Sequence, residues 1–213
     1  MAVTRLIEPQ SLKDLLGIAF TDAEDDARLI MACDAATSMI QAHCDRQFIA
    51  DTTATPRVFV AGTPWIVQVD DISTTTDLVV KTDEDDDGVF ETTWASTDYQ
   101  LEPLNGRLSG QPWPYTSLRA VDSREWPLEY GRAVVEITAR WGWKTSDATV
   151  VDYLPSSVVQ AAQIQATSLY KSAEAPLGIA GFGDIGIMRL RQALHPVAAS
   201  LLAPFRKETV LVA

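Results

Sequence analysis

The sequence predicts an α+β protein: a helical core built from both ends of the chain, with a small antiparallel β-sheet inserted between them. Three observations lead there. An Ala-rich stretch with apolar residues three and four apart occupies the first quarter. The hydrophobic period then shortens to two over several short runs, and a second Ala-rich helical stretch follows Pro155. Runs of strands bracketed by helices, with no βαβ alternation, are the mark of this class.

The elements follow in order. Ser11–Leu16 reads as one or two helical turns ended by Gly17. Thr21-Asp22-Ala23-Glu24 has the form of a capping box, with further acids at Asp25 and Asp26 where the helix dipole favours them. Leu29, Cys33, Ala36, Ile40 and His43 then form one stripe ending near Cys44. The small residues Ala32, Ala35 and Ala36 predict close packing against another helix or a neighbouring subunit. Asp45-Arg46-Gln47-Phe48 is the exit.

Strands are expected over Arg57–Val60, Trp65–Val69, Asp77–Lys81, Val89–Trp94, Tyr99–Leu101 and Leu118–Val121. Arg132–Trp143 is the strongest, with Val135, Ile137, Ala139 and Trp141 sharing one face. Asp83–Gly88 is the turn of a hairpin. After Pro155, a good first-turn residue, the expected buried stripe is Val159, Ala162, Ala166, Leu169 and Ala173. The expected organisation is 1–54, helical; 55–150, the β-rich insert; 151–213, helix, Gly-rich hinge and docking arm.

The chain has 213 residues, 46% hydrophobic and 22% charged, enough for a core without staples. No apolar run approaches the roughly 20 residues of a membrane span. Arg5, Glu8, Lys13 and Asp14 interrupt the first twenty residues, against a secretory leader. A cytoplasm-like compartment is expected. Cys33 and Cys44 lie 11 residues apart in one predicted helix, roughly 16 Å of rise, too far to bridge each other. They are expected to be small buried hydrophobes.

The net charge of −12 is uneven. Between Asp70 and Glu102 stand eleven acids and one base, Lys81. From Ala175 onward Arg189, Arg191, Arg206 and Lys207 face only Asp184 and Glu208. An acidic body argues against wrapping nucleic acid, which needs Lys and Arg against phosphates. It suits a surface that DNA passes without being held, and a basic tail that meets an acidic protein.

Candidate chemistry is sparse. Gly181-Phe182-Gly183-Asp184-Ile185-Gly186 fits G-x-G-x-x-G, but a helix and a Pro-Leu-Gly loop precede it, and Arg206 stands where a ribose-binding acid belongs. The expectation is a close-packing, conformationally free segment rather than a dinucleotide site. Asp83, Asp85, Asp87 and Gly88 fit the first half of a calcium loop, but Trp94 occupies the twelfth position where a bidentate Glu is needed. These three acids are the candidates for a weak cation site; the competing reading is a solvated acidic hairpin tip. His43 and Cys44 are adjacent, so they point to different sides of a helix and make no catalytic pair. His195, before Pro196, is expected to cap or pack. The six Trp residues, all in or beside the strand region, are expected to serve mainly as core or subunit contacts. An alternative reading uses that Trp-rich sheet to bind a small ligand or carbohydrate, with the acidic loop as a weak calcium site. No enzyme and no cofactor are expected.

Three blocks of sequence carry a resemblance. The first is Leu15 to Phe48, with its acidic start, Ala-rich helix and terminal Cys-Asp-Arg-Gln-Phe. The second is Ala139-Arg140-Trp141-Gly142-Trp143, followed by Leu154-Pro155 and the helix to Lys171. The third is Gly181-Phe182-Gly183 and Leu194-His195-Pro196 through Arg206. With these the chain resembles the head-to-tail connector (adaptor) proteins of long-tailed bacteriophages, and the middle sheet resembles the insert of longer members. The resemblance implies a ring, a dodecamer by family habit, docked beneath the portal protein and above a downstream neck or stopper protein. It implies a DNA channel, no catalysis, no cofactor, no membrane, and a place in the virion neck after assembly in the host cytoplasm. It also implies that the C-terminal segment reaches the portal. The residues expected to dock are Arg189, Arg191, Leu201, Leu202, Phe205, Arg206 and Lys207, moved by a hinge at Gly178, Gly181, Gly183 and Gly186.

Overall fold

A computed structural model describes residues 5–105, 113–128, 132–143, 154–174, 179–181, 187–189 and 194–207. The chain forms two compact units. One comprises residues 1–45 and 154–208, the other 46–153 with the last five residues.

The first unit is helical. Helix α1 (Pro9–Leu16) is closed by Gly17, whose φ of 71° places it in the left-handed cap that lacks a Cβ penalty. Helix α2 spans Asp26–Cys44 and α3 spans Ser156–Glu174. Helix α4 (Pro196–Leu202) runs into a single 3₁₀ turn, Ala203–Phe205. Helix α3 packs against α1, α2 and α4. Helices α2 and α3 pack together, and both carry buried small residues: Ala32 and Ala36 on one, Ala161, Ala162 and Ala166 on the other.

Two expectations about these helices are corrected. Helix α2 starts at Asp26, and no side chain caps it. The predicted capping box is instead a turn, in which the Glu24 N–H donates to Asp22 Oδ1 at 3.0 Å. Lys13 accounts for the difference. Its side chain is buried, donates to the carbonyls of Phe20 and Asp22, and pairs with Asp26 at 2.5 Å, drawing the connecting segment onto α1. The buried face of α3 is Val158, Ala161, Ala162, Gln165, Ala166 and Tyr170, which keeps Ala162 and Ala166 of the expected stripe and turns its flanks by one position. Val159 and Leu169 are half-buried. The stripe of α2 ends on Cys44, with His43 half-buried.

The second unit carries two antiparallel sheets rather than one. Strands β1 (Thr55–Phe59), β2 (Ile66–Ile72), β3 (Val79–Thr82), β4 (Thr92–Trp94), β5 (Tyr99–Glu102), β6 (Tyr115–Ala120) and β7 (Val135–Ala139) form them in the orders β1-β7-β3-β4 and β2-β6-β5. One hydrophobic cluster, including Val67, Ile72, Leu118, Trp126, Ile137 and Trp141, is shared by both sheets. The long run from Arg132 becomes the five-residue β7, the central strand paired on both sides. Its inward face is the one expected: Val135, Ile137, Ala139 and Trp141 are buried.

Two of the sequence blocks meet at one end of this unit. Arg46 and Asp71, with side chains 2% and 4% exposed, form an ion pair. The Arg46 guanidinium lies over the rings of Trp113 and Trp143, at 5.4 and 5.5 Å from their centroids. Trp143 also packs on Phe48, and its N–H donates to the Gln47 carbonyl at 2.8 Å. Gly142 passes between the two segments. Its φ is +122°, and a Cβ there would lie 2.7 Å from Ala50 Cα and from the Ile49 carbonyl oxygen.

The Gly-rich segment is bracketed by a two-stranded hairpin, β8 (Ile179–Gly181) with β9 (Ile187–Arg189), in which Ile179 faces Arg189. An antiparallel hairpin is not the strand-to-helix turn that a dinucleotide requires, so that motif has no phosphate-binding context.

Removing Arg46 would take away the guanidinium that pairs with the buried Asp71 carboxylate. Arg46→Ala is expected to cost about 3–5 kcal/mol in urea-unfolding stability. A loss below about 1 kcal/mol, the worth of an exposed pair, would show that the pair is not structural.

Candidate functional site

The expected docking segment is anchored rather than free over much of its described length. The imidazole of His195 caps α4, with Nδ1 accepting from the Val197 N–H at 3.3 Å. The His195 N–H donates at 2.8 Å to Oε1 of Gln165, a buried polar side chain of α3 that also reaches Met39. Leu202 and Phe205 are buried in the helical unit. The Lys207 N–H donates to the carbonyl of Cys44 at 2.8 Å, which ties the end of the segment to the end of α2. Leu201 and Lys207 are half-buried, and Arg206 is exposed. Leu202 and Phe205 therefore belong to this protein's own core, and a partner meeting the segment in this state would meet Arg206 and the edges of Leu201 and Lys207. Arg189 and Gly181 lie in the hairpin strands. Arg191, Gly178, Gly183 and Gly186 lie outside the described residues.

Beside the anchor, α3 presents an open groove lined by Gln160, Ile164, Thr167, Ser168 and Lys171, with Leu15 and His195 at its borders. Exposed apolar side chains of the helical unit include Phe20, Met31 and Val197. In the second unit β1 is an edge strand, and Val58 and Val60 at its end are exposed.

The start of α2 is held to the last turns of α3 by a small polar group. The Tyr170 hydroxyl donates to Asp25 Oδ2 at 2.9 Å, Arg28 donates to Asp25 Oδ1 at 2.8 Å, and the Arg28 guanidinium lies 5.2 Å from the Tyr170 ring centroid. The Tyr170 hydrogen bond, with Arg28 second, holds the Asp25 carboxyl below its ordinary value.

The acidic loop Asp83–Gly88 joins β3 to β4. It brings the side chains of Asp83, Asp85 and Asp87 together, as their alternation predicts, and adds Glu91, which the sequence reading had not placed. One carboxylate oxygen from each of the four lies within 4.8 Å of the others. Asp87 pushes the Asp85 carboxyl above its usual range; desolvation and the nearby Glu91 add to this. Trp94, at the position where a calcium loop of the helix–loop–helix kind needs its Glu, is committed elsewhere. It is buried, its Nε1 donates to Thr82 Oγ1 at 2.9 Å, and its ring stacks on Trp126 at 4.0 Å.

Of the six Trp residues only Trp65 is exposed, and the other five are buried. The sheet therefore offers no multi-ring platform for a sugar or other planar ligand. Cys33 and Cys44 are buried, and burial pushes the Cys33 thiol up to about 11, far from a reactive thiolate. No helix among the described residues is long and apolar enough to cross a membrane.

With this geometry in hand, comparison with solved structures is informative. One neighbour, described as "Neck of empty GTA particle computed with C6 symmetry", has a TM-score of 0.58 and 16% identity, covering 99% of this chain and 96% of its own. This chain has the fold of a particle neck protein. A second, "Neck of native GTA particle computed with C12 symmetry", has a TM-score of 0.55 and 17% identity, covering 100% and 99%. GTA particles are phage-like gene transfer agents. The likeness runs through both units and the whole length of these neck chains, so the strand-rich part belongs to the shared fold. No protein-family model and no curated protein matches the sequence.

Tyr170→Phe is expected to raise the Asp25 pKa in an NMR titration. A carboxyl depressed by folding lends stability above its unfolded pKa of about 3.9 and loses it as pH falls through the folded value. The difference between the wild type and Y170F should therefore be present at neutral pH and vanish in acid. A difference that persists unchanged in acid would rule Asp25 out as its source.

Proposed function

We propose that this protein is a structural head-to-tail adaptor of a tailed phage or phage-like particle. Its subunits form a ring beneath the portal, extend the DNA channel and join capsid to tail. The observation that carries the reading is the end-to-end match of fold to neck chains of GTA particles. The C6 and C12 symmetry of those assemblies supports self-association into a ring of twelve subunits. The portal and a downstream neck or stopper protein are the ring's neighbours, and the virion neck is its final place, reached from the host cytoplasm during assembly.

The chemistry of the chain is compatible with that role at several levels. Exposed Phe20, Met31, Val58 and Val60 provide apolar surface that a ring would bury between subunits. The acidic excess of Asp70–Glu102, with Glu84, Asp85, Asp87 and Glu91 exposed, gives a surface from which a passing duplex is repelled rather than gripped. The reading assigns no catalytic step: His195 is a helix cap and Cys33 is a core residue.

Docking to the portal falls to the basic residues of the C-terminal segment, Arg189, Arg191, Arg206 and Lys207, with Leu201 beside them. Leu202 and Phe205 contribute by holding the segment's base in the helical unit. The hinge assigned to Gly178, Gly181, Gly183 and Gly186 is part of the same proposal. A truncation at Pro204 would remove buried Phe205 and confuse docking with folding, so charge reversal is the cleaner test.

R189E, R191E and R206E together are expected to leave the circular dichroism and melting of the isolated chain intact. Particles assembled with this variant should accumulate as separate heads and tails in negative-stain micrographs. Normal yields of joined particles would remove the basic segment from the docking surface.

A further inference from the structure

The geometry points to a calcium-class cation site in the β3–β4 loop, with Asp83, Asp85, Asp87 and Glu91 as its carboxylate ligands. The site does not depend on the adaptor reading, which treats these four acids only as part of a larger negative surface.

The first support is convergence. Oxygens from all four side chains lie within 4.8 Å of one another. Two ligands on opposite sides of a calcium ion, each at about 2.4 Å, are separated by about that span. The second support is the state of Asp83. This side chain is 2% exposed, and one oxygen, Oδ2, accepts from the Gly88 N–H at 2.8 Å. Its other oxygen, Oδ1, is buried without a hydrogen-bond partner. A buried carboxylate oxygen with no protein donor is costly, and a cation among the neighbouring carboxylates is a partner that would satisfy it.

The third support is the pattern of charge pairing in the same unit. Asp70 pairs with Arg57, Asp71 with Arg46, Asp77 with Arg140, Asp86 with Arg132, Asp98 with Arg124, Glu102 with Arg119 and Glu136 with Lys81. Among the described residues no arginine or lysine pairs with any of the four loop ligands. Asp86 is the informative neighbour: φ of 60° turns it out of the Asp83–Asp85–Asp87 alternation and onto Arg132 at 2.5 Å. The loop thus hands one acid to a protein cation and keeps four together.

The donor set is all oxygen, which suits a hard cation. Four carboxylates from a nine-residue reach with no helical frame favour calcium, which accepts irregular geometry, over magnesium, which demands a near-ideal octahedron. Glu91 takes the closing role that a helix-flanked loop gives to its twelfth residue, because in this hairpin the twelfth residue, Trp94, faces the core. A bound ion cancels two of the four negative charges and clamps the tip.

Calorimetric titration of calcium chloride into the decalcified full-length chain tests the site. One saturable event with a Kd of about 10⁻⁵–10⁻³ M is expected, with magnesium chloride weaker. Asp87→Asn and Glu91→Gln, both at exposed positions, should each weaken it by about tenfold or more. Asp122→Asn, an exposed acid in another turn, should not change it. Absence of saturable calcium binding by the wild type, tighter binding of magnesium, or full retention in both loop variants would overturn the assignment.

Discussion

The β-rich unit depends on one buried ion pair. Arg46 and Asp71 are sequestered together, and neither charge could be held there alone. The pair fixes the first residue of the unit to the end of β2. The Gly142 N–H donates to the Asp71 carbonyl at 2.7 Å, so the segment leaving β7 is fixed at the same point. Trp113 and Trp143 then close over the guanidinium, and Phe48 packs behind Trp143. Segments far apart in sequence are thus tied at one buried ion pair. The requirement for glycine at 142 follows, because only a residue without Cβ passes the Ile49–Ala50 backbone at that distance.

The helical unit is organised on a different principle. Its two long helices meet through alanines, which permits close approach but specifies little, and specificity comes from polar side chains set among them. Lys13 gathers the segment before α2, Gln165 receives the backbone of His195, and Tyr170 holds Asp25. The C-terminal segment is therefore an integral part of this unit through Leu202 and Phe205, with Val197 and Arg206 exposed beside them.

How much of this was legible in the sequence depends on whether a feature is local. The alternation of Val135, Ile137, Ala139 and Trp141 and the Gly17 stop are local, and both read correctly. The strands were found but not their division into two sheets, because which runs pair is a non-local choice. On α3 Ala162 and Ala166 are buried as expected, but Val159 and Leu169 give way to Val158 and Tyr170, because a sequence of Ala, Val and Gln has no strong amphipathic contrast and Gln165 sits on the apolar side with a hydrogen bond to residue 195. The Thr21–Glu24 signal was overridden by Lys13, a residue eight positions earlier. The D-x-D-x-D-G alternation located the acidic cluster, whereas Glu91 is brought to it by the return of the hairpin, which no fixed motif spacing encodes. The likeness to connector proteins rested on blocks, and two of them, Cys44–Phe48 and Ala139–Trp143, carry the residues that the structure joins around Arg46.

The central claim is that the chain is a ring-forming neck subunit. Symmetry-averaged cryo-electron microscopy of the neck of intact particles that encode it tests this most directly. The account predicts a ring of twelve copies between portal and tail, with both units traceable and the basic C-terminal segment directed at the portal. A fully resolved neck in which every density belongs to other proteins would contradict it.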